Sequence, residues 1–287
     1  MSATKITIIG GGGTMGMRIS RNLLKFPDKY QLLINELSPK GIEKVQSLGL
    51  EVRPAEEIIP LGDFVIMGVP DSVLKKLAPV VIKQLSPGAT FVILDPASAV
   101  AGEIGMRDDC NFAICHPCHP SFFIDQPTPE ARADHYGGEG GFQDVVMSKL
   151  NGSDEAFERC RRVCEDMLGP TKHSYVMTPR EMAFLEPTLV EVMGATFLYA
   201  MAETLEEAVR RGVDRDAAIS FMAGHIHNLT ANFLGFLGPG AKVSDACLVA
   251  MDVGRRLVLR EDWRQVWDDD VLDRVIATML HPEDPKI

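Results

Sequence analysis

Three places in this chain carry residues whose types and spacing can do chemistry. The first is Gly10-Gly11-Gly12-Gly13-Thr14-Met15-Gly16. Gly11, Gly13 and Gly16 fit G-x-G-x-x-G, in which the first glycine permits a tight turn. The second lets backbone approach a pyrophosphate, and the third lets a helix pack close on a strand. A helix opening at Thr14 and Met15 would turn free N–H groups and a partial positive charge toward phosphates, with Gly12 completing the cradle. The second place is Cys115-His116-Pro117-Cys118-His119-Pro120. His116 and His119 suit two tasks, ligating a divalent metal or carrying a proton near neutral pH; local hydrogen bonding in a loop accounts for them as well. The third is Glu186, just before Pro187 in a run that is apolar nearly throughout from Phe184 to Met201. A carboxylate there is costly unless paired or coordinated, although a capping or domain-interface role also fits.

The elements that must position these residues follow from hydrophobic patterning. Lys5–Ile9 reads as a buried strand running into the glycines, and Met15, Ile19 and Leu23 recur at helical spacing. The next strand ends at Glu36, twenty residues beyond Gly16. An acid there accepts from adenosine ribose hydroxyls and repels a 2′-phosphate, favouring NAD over NADP. Strands at 63–69, 90–95 and 111–115 alternate with helices, so the first half reads as a doubly wound parallel sheet of the Rossmann α/β class. Ligands in such sheets bind at the carboxyl ends of the strands. That rule brings Val69, Pro70 and Asp71, together with Asp95–Ser98 and Cys115–Pro117, into one crevice with the glycine loop. A polar loop at 125–141 follows, its Gly137–Gly141 stretch expected to be a mobile tip. Further strands at 144–148 and 174–177 flank a helix at 154–168.

The domain boundary is expected near residue 177, giving a dinucleotide-binding domain over 1–177 and an all-α domain over 178–287. Thr178-Pro179-Arg180-Glu181 reads as a capping box with proline at the first helical position. The helix it opens has no polar face until it turns charged before Gly212, and such a helix is buried on all sides. In a small domain that burial calls for a second subunit, so a homodimer is expected. His225 and His227 cannot share a helix face and make no ligand pair. Glu191, Lys242 and Asp245 receive no role.

With 287 residues and a net charge of −11, the chain lacks the basic surface that nucleic acid requires. No signal peptide or membrane span is legible, and the six cysteines read as reduced thiols. A cytoplasmic enzyme with a small-molecule substrate is expected. Cys115–His119 matches C-x-x-C-H, but haem attachment is rejected because no export signal accompanies it and the prolines suit a strand-end turn. A four-ligand zinc site lacks its second Cys/His pair.

A Rossmann domain followed by a helical dimerising domain resembles the 6-phosphogluconate and β-hydroxyacid dehydrogenase superfamily. The lysine those enzymes carry on the first long interdomain helix is missing, and Glu186 stands in that region. Over the whole chain the glycine loop, Glu36, Gly68-Val69-Pro70-Asp71, Cys115–Phe123 and Phe184-Leu185-Glu186-Pro187-Thr188 resemble the D-apionate oxidoisomerase family of bacterial sugar-acid catabolism. The resemblance implies oxidation of D-apionate by NAD⁺ to 3-oxo-isoapionate, in which a 2-oxo acid forms and an acyl migration follows. It also implies a divalent metal (Zn, Mn or Mg) held by His116 and Glu186, with His119 as the catalytic proton carrier. Two other readings stand beside it: a metal-free NAD-dependent dehydrogenase of a small hydroxy acid or semialdehyde, and a non-enzymatic NAD-binding sensor.

Overall fold

The structure is a computed structural model that describes residues 3–287, apart from the side chain of Asp71. It divides into two compact units, Met1–Ala183 with Asp273–Ile287, and Phe184–Leu272. In the first unit the strands are β1 (Thr4–Ile9), β2 (Tyr30–Asn35), β3 (Phe64–Met67), β4 (Thr90–Ile93), β5 (Asn111–Pro117), β6 (Gln143–Asn151) and β7 (Thr171–Val176). They form one sheet in the order β2-β1-β3-β4-β5-β6-β7. Its helices are α1 (Thr14–Leu23), α2 (Pro39–Ser47), α3 (Ala55–Ile58), α4 (Asp71–Gln84), α5 (Ala97–Val100), α6 (Pro129–Ala133), α7 (Asp154–Met167) and α8 (Pro179–Ala183).

The central strands β3 and β4 are buried along their whole length because both faces of the sheet are covered. Ile6, Ile8, Phe64, Ile66 and Val92 face one cluster with Met17, Ile19 and Leu23 of α1 and Val163 and Met167 of α7. Ile9, Val65, Met67, Phe91 and Ile93 face the other, with Leu74, Ala78, Val81 and Ile82 of α4. The doubly wound sheet expected from the sequence is therefore present. Its third strand on the β2 side is reduced to one parallel bridge between Ile34 and Val52.

Two features depart from the expected pattern. β6 runs antiparallel to β5, with His116 opposite Val146, and β7 runs parallel to β6. An antiparallel partner needs no crossover helix, so residues 118–142 stay at the carboxyl edge of the sheet. The Gly137–Gly141 stretch is also no exposed tip. Gly137, Gly138 and Gly141 are buried, and the first two adopt φ of 79° and 102°.

The capping box forms as the sequence implies. The Thr178 N–H donates to Glu181 Oε2 at 2.7 Å, and the Glu181 N–H donates to Thr178 Oγ1 at 3.2 Å. The helix it starts is not uniform, however. After α8 the chain winds as a wide-turned π-helix over Phe184–Ala195, with Pro187 inside, before α9 (Thr196–Arg210) begins. Proline removes one hydrogen bond and crowds the carbonyl four residues back, and wider turns accommodate it. The second unit continues with α10 (Arg215–Phe233), capped by Asp214 Oδ1 on the Ala217 N–H at 2.9 Å, and α11 (Asp245–Val258), capped by Ser244.

The last helix, α12 (Asp269–Leu280), belongs to the first unit from Asp273 onward. Contacts thus place the division after Ala183 and return the C-terminus to the sheet-bearing unit, whereas the sequence reading puts one boundary at 177. The physical reason is packing: Met182 of α8 joins the sheet's core. Val275, Ile276 and Leu280 of α12 are buried. Among the described residues no helix is long and apolar enough to cross a membrane.

Candidate active site

The glycine loop is tied to the end of β2. The N–H groups of Gly10 and Gly11 both donate to the Asn35 carbonyl at 3.0 Å, and the Gly13 N–H donates to the Gly10 carbonyl at 3.2 Å. Gly10 sits at φ 82°, where L-residues are strained. The three fingerprint glycines have separate reasons. A Cβ on Gly11 would lie 2.3 Å from Ile34 Cγ2, and one on Gly16 would lie 2.4 Å from the Gly10 carbonyl oxygen. Those two are demanded by packing. A Cβ on Gly13 would meet nothing nearer than 3.4 Å. The protein itself leaves room at Gly13, as an approaching pyrophosphate requires. No side chain caps α1, so its first N–H groups at Thr14, Met15 and Gly16 face the site.

Glu36 is held by backbone. Its Oε2 accepts from the Gly12 N–H, and its Oε1 from the Leu37 and Ser38 N–H groups, each at 2.8 Å. Burial raises its pKa, but the donors at Ser38, Gly12 and Leu37 outweigh burial and hold the carboxyl below its usual range. The residue therefore stays ionised and also fixes the glycine loop.

A cavity of about 330 Å³ opens beside it, lined by Gly12, Gly13, Glu36, Gly68, Val69 and Pro70 among others. A second cavity of about 350 Å³ shares Gly13, Gly68, Val69 and Pro70 and continues to Asp95, His116 and His119. Together they make one crevice at the carboxyl ends of β1, β3, β4 and β5, at the point where the strand order reverses. Asp71 begins α4 just beyond Pro70, but its side chain lies outside the described residues.

His116 is the penultimate residue of β5 rather than part of a loop. The Leu94 carbonyl lies 2.7 Å from Nδ1. A carbonyl can only accept, so Nδ1 carries the hydrogen and Nε2 the lone pair of the neutral ring. Burial pushes the His116 pKa below the ordinary value, with the Leu94 carbonyl and Asp95 pulling the other way. A neutral imidazole, here half-buried, whose other nitrogen donates to a backbone carbonyl is in the form in which histidine ligates metals. His116 by itself therefore has the tautomer that a metal ligand needs.

His119 follows at the turn with φ 60°, a left-handed conformation uncommon outside glycine. Its Nδ1 lies 3.0 Å from the Tyr136 carbonyl, so by the same reasoning Nε2 is its basic nitrogen. The two imidazoles stand edge to face with centroids 6.2 Å apart.

Cys115 is fully buried in the core, whereas Cys118 is exposed, with its thiol pushed up to about 11 by burial of the sulfur and by Asp144. Strand alternation therefore keeps these two thiols from acting as one dithiol. Glu186 lies half-buried in the first wide turn of the second unit, and Glu191 is exposed. The structure thus brings together Gly11–Gly16, Glu36, Val69, Pro70, His116 and His119 within one unit, while Glu186 belongs to the other. Among the described residues no cluster of three or more His, Cys, Asp or Glu is arranged to hold a metal. His225 makes a 2.7 Å bond from Nδ1 to the Phe221 carbonyl of its own helix, and Lys242 and Asp245 are exposed.

Sequence reasoning missed Gly41. A Cβ there would strike Glu36 Cδ at 2.6 Å, and a Cβ on Gly12 would strike Gly41 Cα at 2.3 Å. Its signal was a glycine in the first turn of a helix begun by Ser38-Pro39, where glycine otherwise costs stability.

Residues 124–280 match the family described as phosphogluconate dehydrogenase (decarboxylating), C-terminal. The chain is 53% identical over 287 residues, the full length of both proteins, to a D-apionate oxidoisomerase of Blautia hydrogenotrophica. It is 41% identical to a D-apionate oxidoisomerase of Pectobacterium atrosepticum, over 96% of this chain and 95% of that protein. Among solved structures, a semialdehyde dehydrogenase NAD-binding protein from Cupriavidus necator, in complex with calcium and NAD, superposes with a TM-score of 0.90 at 38% identity. That match covers 96% of this chain and 99% of the other. On identity over its full length, and on a sheet and helical half that match in fold, the chain belongs to the D-apionate oxidoisomerase family.

Proposed function

We propose that the protein is an NAD-dependent oxidoisomerase that converts D-apionate to 3-oxo-isoapionate. Full-length identity of 53% to a protein of that name carries the reading. The crevice supports it, because a phosphate-binding loop, an ionised acid and two imidazoles share one edge of the sheet.

When bound, NAD⁺ supplies the hydride acceptor, and a divalent ion supplies the positive charge that eases ionisation of the hydroxyl and the carbon migration. The chain's own residues do the rest. The N–H groups at Thr14, Met15 and Gly16 hold the pyrophosphate, with Gly11 and Gly12 shaping the turn and Gly13 leaving it room. Glu36 faces the adenosine ribose and sets NAD above NADP. Val69, Pro70 and Asp71 border the cofactor's path between the two cavities. His119 Nε2 takes the hydroxyl proton. His116, through Nε2, and Glu186 are the proposed metal ligands; a histidine in the donor set favours zinc or manganese over magnesium.

A homodimer belongs to the same reading. No residue of α9 or α11 is buried, and Phe197, Leu198, Tyr199, Val249 and Leu257 are exposed. Apolar faces of that extent mark contact surfaces. A cytoplasmic enzyme, drawing on free NAD⁺, is part of the same proposal.

The test incubates purified protein with NAD⁺ and D-apionate, with and without a chelator, and follows NADH absorbance and the carbon skeleton of the product together. The expected result is NADH with a rearranged skeleton, both lost on chelation. NADH with an unrearranged product would leave a plain dehydrogenase. Nucleotide binding without turnover on any sugar acid would leave a sensor.

A further inference from the structure

The residue that organises the loop over the crevice is Arg18 of α1, two positions after the last fingerprint glycine. It is 5% exposed, unusual for an arginine so close to a cofactor loop. Its Nη2 donates to the Tyr136 carbonyl, and its Nη1 lies 3.2 Å from Met15 Sδ. The Tyr136 carbonyl oxygen is the same atom that accepts from His119 Nδ1 at 3.0 Å.

The loop winds round this side chain. A Cβ on Gly137 would lie 2.7 Å from Gln143 Nε2 and 2.9 Å from Arg18 Nη2, one on Gly138 would lie 2.9 Å from Arg18 Cγ, and both residues sit at positive φ, so glycine is required at both. Asp134 closes the turn by accepting the Glu139 and Gly141 N–H groups on Oδ2, at 2.8 and 3.1 Å. Its charge also opposes the fall in the Arg18 pKa that burial imposes.

We propose that Arg18 is a positioning residue for His119, clamping the Tyr136 carbonyl so that the imidazole is held with hydrogen on Nδ1 and its lone pair on Nε2 toward the crevice. The inference rests on the reading of His119 as the proton carrier. A carbonyl has two acceptor lone pairs, and here one holds the guanidinium while the other orients the ring. Without the guanidinium the 134–138 turn loses the post it is wound on. The ring is then free to turn over and present N–H where a base is needed.

The test is a double-mutant cycle in the full-length enzyme, using Arg18→Met, His119→Ala and the pair, with kcat on D-apionate and the Kd of NAD⁺ measured for each. Arg18→Met is expected to lower kcat about 10- to 100-fold, the scale of a misplaced catalytic group, with the Kd of NAD⁺ changed less than about threefold. His119→Ala is expected to lower kcat about 10²- to 10⁴-fold. Adding Arg18→Met to it should then change kcat less than about twofold, because both act through one ring. Arg18→Lys should recover part of the loss.

A merely structural Arg18 would subtract equally from kcat in both backgrounds and weaken NAD⁺ binding. That additive result, or wild-type kcat in Arg18→Met, overturns the inference while leaving His119 in its role. Wild-type turnover in His119→Ala overturns the underlying reading and the inference with it. Should Arg18→Met fail to fold, ring ¹⁵N shifts of His119 decide between wild type and Arg18→Lys. A loss of the Nδ1–H form in Arg18→Lys supports the clamp, and an unchanged ring refutes it.

Discussion

Replacing Glu36 with glutamine tests whether one carboxylate both shapes the phosphate loop and selects the cofactor. Three backbone N–H groups converge on its two oxygens at 2.8 Å. Glutamine offers a single acceptor oxygen, and its NH₂ must then face a donor. If that oxygen keeps the Leu37 and Ser38 bonds, the NH₂ meets the Gly12 N–H, which is buried. The loss is one hydrogen bond to a charged group, about 1.5–3 kcal/mol, with the remaining two weakened. At roughly 2–4 °C per kcal/mol for a chain of this size, Tm should fall by about 3–12 °C. If about 1.4 kcal/mol of the loss reaches the loop's bound geometry, the Kd for NAD⁺ rises about tenfold. Affinity for NADP⁺ should rise relative to NAD⁺, because the repulsion of a 2′-phosphate is gone.

The pH dependence has a definite sign. Hydrogen bonding holds the folded-state pKa of Glu36 below its ordinary value. Its contribution is therefore fully present above the unfolded carboxyl pKa of about 4.3 and is lost as pH falls through the folded value. The stability gap between wild type and Glu36→Gln should be flat from about pH 5 to 8 and close below about pH 4. Thermal melts across pH and calorimetric titration with both nucleotides measure all of this. Wild-type Tm and an unchanged NAD⁺/NADP⁺ ratio in Glu36→Gln would refute the reasoning.

The glycine loop yields a paired prediction. Gly16→Ala sets a methyl 2.4 Å from the Gly10 carbonyl oxygen and should destabilise the fold by about 1–3 kcal/mol or more. Gly13→Ala has 3.4 Å of clearance and should melt within a degree or two of wild type while losing at least about tenfold in NAD⁺ affinity. Equal melting losses in the two variants would contradict the separate reasons assigned to them. His116→Ala and Glu186→Gln should each lower turnover by about 10²-fold or more, as loss of a charge-stabilising group does, with NAD⁺ binding nearly unchanged. Full activity in both variants after chelation would remove the metal from the mechanism. Sedimentation should find twice the 31.5 kDa chain mass, and Leu198→Glu with Val249→Glu should shift the protein toward monomer. A monomeric wild type would end the dimer reading.

The dinucleotide half was legible in the sequence because its signals are local. A buried strand, a glycine turn and an amphipathic helix each announce themselves within a few residues. Glu36 is found by counting from the last glycine, and the Thr178–Glu181 box by its spacing alone. Only the tertiary structure shows that Glu36 also braces the loop, since its partner Gly12 is 24 residues away. The antiparallel turn of β6 is another such decision, because a strand's residues do not state its direction. That reversal leaves residues 118–142 over the crevice and brings Tyr136 to His119. The Gly137–Gly141 stretch illustrates the difference: by composition it reads as a mobile tip, yet Gly137 and Gly138 are shaped to the Arg18 side chain 118 residues away from Tyr136 in sequence.

By itself, then, the sequence determined the parallel part of the sheet, the phosphate loop and the residue types available for chemistry, because these follow from short-range periodicity and backbone sterics. The tertiary structure alone decided which carbonyls set the ring nitrogens of His116 and His119. It also decided which glycines serve packing and which leave room for a ligand, and where the chain divides. Those outcomes depend on groups distant in sequence meeting at hydrogen-bond and van der Waals distance, and no local pattern encodes such meetings.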